Sequence, residues 1–240
     1  MYKYISFDVE NLEPLKLSQT SVQIDSEVSK SFIQGSVLRG AFIANYMNLN
    51  GLKDLDEKYK EMLLKGNIEF FNAYPRGESG ETLPFMKNLF TTKDEMKRFG
   101  DKKVMRVISK NNGEAVQKVK GIEFANYDFK TKTIESVKVK KISSMHIKTP
   151  VNKEENTKLF TYEAIDKNTK FSGIIKFKKE YEKEVLRVMK EGNFYLGGSK
   201  GSGYGKCKIS SIEILEENPQ VNYLEEQNLL KELCSHKCKE

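Results

Sequence analysis

The chain opens with alternating apolar and polar positions. Ile5, Phe7 and Val9 fall on one side of the stretch Tyr2 to Val9, and this predicts a half-buried strand. Residues 11–30 are polar and carry Pro14, so they read as a loop or a weak strand. The period then changes. Val37, Leu38, Ala41, Phe42, Asn45 and Tyr46 recur at helical spacing after Gly35, with Ser36 as the expected N-cap. Gly40 lies inside that helix and suggests close packing against another backbone. A second, surface helix is expected from Leu52 to Lys65, with Gly66 as its stop, followed by a strand from Ile68 to Tyr74 that Pro75 ends.

The middle is harder to pattern. Thr82 to Thr92 reads as irregular, and Thr91 to Val119 as an exposed, lysine-rich insertion. Glu123 to Val139 alternates on both sides of Lys130–Lys132, predicting a hairpin. A strand-like stretch around His146 follows, closed by Pro150. The apolar runs 159–166 and 171–177 predict another hairpin across 167–170. Lys179 to Glu191 has a helical stripe (Tyr181, Val185, Leu186, Val188, Met189) and stops at Gly192, the usual position for a left-handed cap. The last strong strand starts at Lys206. This order is that of an α+β, ferredoxin-like βαββαβ domain carrying β-hairpin insertions. Its expected extent is residues 1–215, with a basic insertion at about 82–150 and an acidic helix or tail at 216–240.

Composition narrows the partners. The 240 residues carry a net charge of +7, distributed unevenly: residues 82–148 hold 16 Lys/Arg against 7 Asp/Glu, whereas residues 211–240 hold 3 against 7. A basic balance suits a polyanion, although a charge run is usually a solvated face. No run of about 18 apolar residues appears. Three cysteines without framework spacing fit a reducing cytoplasm, and a cytoplasmic protein without a membrane partner is expected.

The chemistry concentrates in one stretch. Gly197, Gly198, Ser199, Lys200, Gly201, Ser202, Gly203, Tyr204, Gly205 and Lys206 bring five of the 16 glycines together with two lysines. Glycine lets a backbone approach a ligand closely, and successive N–H groups can form an anion-binding concavity. The stretch is not a nucleotide P-loop, since Tyr204-Gly205 stands where Lys-Ser/Thr belongs and a strand follows instead of a helix. Nor is it the G-x-G-x-x-G fingerprint, because Gly201, Gly203 and Gly205 run G-x-G-x-G. A mobile hairpin without a ligand is the plain alternative. Lys200, Tyr204 and Lys206 favour a nucleic-acid strand, for which charge and an aromatic face act together. The start of the first helix, with Gly35 before it and Arg39 in its first turn, is a second candidate anion site; the competing reading is an ordinary core helix.

Phe32 to Ala41 resembles the (Y/F)-I-P-G-S-x-L-R-G-A segment of RAMP-superfamily CRISPR-associated proteins, with Gln34 in place of the proline. Leu196 to Gly205 is similar to their carboxyl-proximal glycine-rich loop. Phe71 to Pro75 with Leu83-Pro84, His146, and Leu159 to Ala164 are similar to the RAMP family of subtype III-D effector complexes. The resemblance implies an RNA-recognition-motif-like ferredoxin fold in a multisubunit, RNA-guided ribonucleoprotein. Its implied partners are guide RNA, other RAMP backbone subunits, the large polymerase-like subunit and, indirectly, target RNA. It carries Gly35, Ser36, Arg39 and Gly198 to Lys206 over as guide-contacting positions. Family members usually continue into a second RAMP-like half, so this chain is expected to be an amino-terminal half or a compact form.

Tyr204 or Tyr74 is expected to stack a base. Relatives that process guide precursors use acid–base groups such as histidine, and His146 is the weak candidate for a guide-processing endoribonuclease. Asp101 and Asp128 match no target-cutting motif. Cys234, His236 and Cys238 supply three ligands where zinc usually wants four. We therefore expect no cofactor and a noncatalytic RNA-binding subunit, with an endoribonuclease or a protein–protein scaffold as the alternatives.

Overall fold

A computed structural model describes residues 1–18, 26–55, 57–99, 104–108, 115–128, 131–148 and 158–219. Its described residues fall into two compact units, one formed by 1–73 with 139–214 and the other centred on 74–138.

The first unit is the ferredoxin-like domain. Its elements are β1 (Tyr2–Asn11), α1 (Gly35–Leu49), α2 (Glu57–Leu64), β2 (Ile68–Phe70), β3 (Lys141–Lys148), β4 (Lys158–Ile165), β5 (Lys170–Lys178), α3 (Glu182–Lys190), β6 (Asn193–Tyr195) and β7 (Lys206–Leu215). The main sheet runs β6-β7-β1-β5-β2. Taken without the edge strand β6, that is the fourth, first, third and second strand of a βαββαβ fold, in that spatial order. The long β1–β5 pairing is antiparallel and sets Ile5 opposite Ile175 and Val9 opposite Phe171. The alternation read from Ile5, Phe7 and Val9 therefore meets a matching alternation on β5, and one face of the sheet is buried. Leu38, Ala41, Phe42 and Tyr46 of α1 and Val185, Val188 and Met189 of α3 close over it. Removing this much apolar surface from water is the main stabilising contribution.

The other face of the same strands is polar. Ser172 Oγ donates to Asp8 Oδ1 at 2.9 Å, and Lys176 pairs with Glu69 at 3.0 Å. Lysines and carboxylates offset one another there.

Two expectations are corrected. Runs 159–166 and 171–177 do not pair with each other. β4 pairs with β3 in a separate three-stranded sheet that includes Ser26–Glu27, while β5 joins the main sheet. The cause is a polar corner. Asn11 is fully buried and accepts from Thr169 N–H at 2.8 Å through Oδ1, while its amide donates to the carbonyls of Asp166 (3.0 Å) and Glu13 (2.9 Å). These bonds anchor the 166–169 turn to the end of β1, so β5 leaves the corner already paired with β1.

The second correction concerns 91–119, which is not merely an exposed arm. In the second unit, strands Leu83–Pro84, Phe124–Asp128, Thr133–Val137 and Val104–Arg106 form a sheet. Strands Phe90–Thr92 and Val116–Lys118 pair beside it in sequence, and helix Lys93–Arg98 is capped by Thr92, whose Oγ1 accepts from Glu95 N–H at 3.2 Å. Leu89, Met105, Val119, Ala125, Tyr127 and Ile134 make a small core of their own. The hairpin read around Lys130–Lys132 is present, with Lys132 at φ +56°.

Candidate nucleic-acid interface

Helix α1 starts two residues earlier than its sequence suggests. Gln34 is the N-cap and makes no side-chain capping bond, so Ser36 is a helical residue and not the cap. The cap is supplied from across the chain, because Gly35 N–H donates to Asn72 Oδ1 at 3.0 Å. Gly35 is buried, and a Cβ there would stand 2.0 Å from the Phe70 carbonyl oxygen. The residue is glycine so that α1 can touch β2, and Gly35 itself is turned away from any ligand. We expect Asn72→Ala to cost about 1 kcal/mol, the usual value of a helix cap, seen as a lower urea midpoint with an unchanged slope.

The glycine-rich stretch is the connection between β6 and β7. Gly197, Ser199, Gly203 and Gly205 have φ of +74°, +57°, +79° and +90°, and Lys200–Ser202 forms one 3-10 turn. The N–H groups of Gly198 and Gly205 donate to the carbonyls of Lys16 and Pro14, both at 3.0 Å, and Ser202 N–H donates to Ser199 O at 2.9 Å. Those amides are already engaged. The loop's charge toward a ligand is that of the exposed Lys200.

Lys16, a residue no motif singled out, also lines the cleft, but its charge is met within the fold. It is only 5% exposed. Its Nζ sits 3.1 Å from the centroid of the Tyr162 ring, 2.8 Å from Glu27 Oε2 and 3.3 Å from Ser199 Oγ. The Lys16 hydrogen bond holds the Glu27 carboxyl below its ordinary range, against the desolvation that would raise it.

The helix start and the glycine loop line one cleft of about 350 Å³. Gln34, Ser36, Val37 and Gly40 form its α1 wall, Gly197, Gly198 and Lys200 its loop wall, and Tyr195 and Lys16 to Ser18 complete it. Two stretches that sequence offered as separate anion sites thus line one cleft. A helix N-terminus, the Lys200 ammonium and a close backbone approach converge there, which suits a phosphate.

Other candidates are placed differently. Arg39 is exposed on α1 but does not line the cleft, and Lys206 opens β7 with its N–H donating to Glu13 Oε2 at 3.1 Å. Tyr204 is 7% exposed, with its hydroxyl 3.5 Å from His146 Nε2. A ring so buried holds the loop against β3 and is not open to stack a base. His146 lies nearly parallel to Phe160 (centroids 5.5 Å, 13°) and 4.6 Å from the Tyr162 ring. Its place is in an aromatic cluster. Tyr74 belongs to the second unit, 5.8 Å from Phe124 between ring centroids. Asp128 Oδ1 accepts from Thr131 N–H and shapes a turn. Asp101, Cys234, His236 and Cys238 lie outside the described residues. Among those described, no three His, Cys, Asp or Glu residues are grouped to hold a metal, and no helix is long and apolar enough to cross a membrane.

Sequence pattern points to neither Tyr195 nor Lys16 as lining the cleft, and it gives Gly40 only a packing role. Strand alternation could have found Tyr195, since Phe194 and Leu196 on either side are core residues.

No curated protein matches the chain in sequence. Among solved structures, it is similar to a chain of the type III-B Cmr-beta complex bound to cognate target RNA (TM-score 0.49, 12% identity, covering 90% of this chain and 61% of that one). It is also similar to a chain of the apo Cmr-beta complex (0.47, 12%, covering 86% and 96%) and to one of a type IV-B CRISPR complex (0.45, 10%, covering 88% and 90%). The chain therefore spans less than two thirds of the length of the first of these. A family model described as the RAMP superfamily matches residues 12–208, from the segment that carries Lys16 through the whole glycine loop, and the chain belongs to the RAMP superfamily.

Proposed function

We propose that this chain is an RNA-binding structural subunit of a type III CRISPR RNA-guided effector complex, and that it holds guide RNA at its repeat-derived 5′ end in antiviral defence. The observation that carries this reading is the union of the α1 start and the glycine loop in one open cleft, with the exposed Lys200 on its wall. Phosphate contacts of this kind position a strand without reading its sequence. The subtype III-D resemblance, the neighbouring RAMP and polymerase-like subunits, and a cytoplasmic location belong to the same proposal. The basic region at about 82–150 would follow RNA or a neighbouring subunit. Nothing in the setting of His146, packed among Phe160, Tyr162 and Tyr204, favours the nuclease alternative.

The test is a salt titration. Each phosphate contact adds roughly 0.7 to the slope of log K against log salt for single strands. Lys200→Ala should lower that slope by about one contact's worth for single-stranded RNA. An unchanged slope would remove the cleft from the interface. Purification from cells expressing the neighbouring genes, with end-mapping of the bound RNA, should yield guides sharing one 5′ tag.

A further inference from the structure

The cleft contains more than a phosphate needs. Tyr195 is 44% exposed although it sits between buried Phe194 and Leu196, because the alternation of β6 turns its ring outward onto the cleft wall. Across from that strand, α1 presents Gly40. Glycine is a poor helix former, and sequence alone suggests that another backbone packs there. None does: a Cβ at Gly40 would meet no atom within 4 Å, and the same is true at Gly198 on the loop wall. Internal packing therefore accounts for neither residue. Asn45 Nδ2 donates to Asn193 O at 2.9 Å and ties α1 to the start of β6, so the two walls are braced at a fixed spacing. The volume of this open cleft, about 350 Å³, is at the lower end of what proteins use to hold one small ligand.

We propose that the cleft takes one unpaired ribonucleotide. Its base stacks on Tyr195, its sugar lies over the bare backbone at Gly40, and its phosphate meets Ser36 and Lys200. Aromatic stacking tolerates any base, and the amide of Gln34 on the same wall offers both a donor and an acceptor to a base edge. This inference rests on the RNA-binding reading above but goes beyond it, since phosphate contact alone requires neither Tyr195 nor an open Gly40.

The test uses the full chain and fluorescence anisotropy with two probes, a short fluorescein-labelled oligouridylate and its abasic counterpart. Tyr195→Ala should weaken oligouridylate binding about tenfold, the lower range for losing one stacked base, and leave the abasic strand unaffected. Gly40→Leu should weaken both probes, because it fills the space above the helix. It should also melt no lower than the parent, because leucine is the better helix former. Equal oligouridylate affinity in the parent, Tyr195→Ala and Gly40→Leu would overturn the nucleotide pocket. If Lys200→Ala still lowered the salt slope in that case, the phosphate-binding role would stand without it. Absence of RNA binding by the parent chain would overturn both.

Discussion

Gly35→Ala should come close to unfolding the protein, whereas Gly40→Ala, farther along the same helix, should stabilise it. At Gly35 the new methyl would stand 2.0 Å from the Phe70 oxygen and 2.9 Å from its carbonyl carbon. Both partners are backbone, so no rotamer change relieves the clash, and α1 must move off β2. That shift opens the Phe42–Phe70 contact, now 5.2 Å between ring centroids, in the middle of the core. We expect a loss of about 3 kcal/mol or more, the upper range for overpacking. At Gly40 the methyl meets open space, and alanine recovers about 1 kcal/mol of helix propensity. Urea denaturation of the two variants decides the matter. A Gly35→Ala midpoint close to the parent's would mean that α1 does not rest on β2 as described.

A comparable contrast holds within the glycine loop. Gly197 sits at φ +74°, and a Cβ there would be 2.1 Å from the Lys16 carbonyl oxygen. That same oxygen accepts the Gly198 N–H. Gly197→Ala should therefore cost about 2–3 kcal/mol, combining left-handed strain with a steric clash. It should also release the loop from residues 14–16 and reduce RNA affinity at least as much as Lys200→Ala does. Gly201→Ala meets no neighbour and should stay within about 0.5 kcal/mol of the parent. Melting curves and anisotropy on the same samples separate the two effects. Equal damage from both substitutions would show that the glycines serve flexibility in general, not one anchored shape.

Much of this architecture was legible in the sequence because periodicity records burial. β1, α1 and α3 each bury one face, so Ile5, Phe7 and Val9, or Val185, Val188 and Met189, announce their partners' side. Local pattern fails where pairing is decided at a distance. The run 159–166 looks like the natural mate of 171–177, yet one buried asparagine far upstream, Asn11, turns the corner and separates them. The core of the second unit was also hidden, because Leu89, Met105 and Val119 are single apolar residues scattered among lysines and show no period. The site was half legible. Gly35 and Gly197 stand out by composition, but which glycines fit against backbone and which face open space depends on Phe70 and Lys16, and neither is near them in the chain. Lys16 escaped notice because a single lysine in a polar stretch resembles any solvated one. Its burial comes from Tyr162, Glu27 and Ser199.

The Lys16–Ser199 contact spans 183 positions of sequence. On a ribosome adding about 5–20 residues per second, the loop is made roughly ten to forty seconds after the lysine that holds it. During that interval α1 and the segment around Lys16 exist without the wall that converts them into a binding site. On the reading proposed above, RNA capture is reserved for chains in which β6 and β7 have been delivered and paired. A fragment interrupted before β6 and β7 keeps most of the positive charge but lacks the loop wall of the cleft.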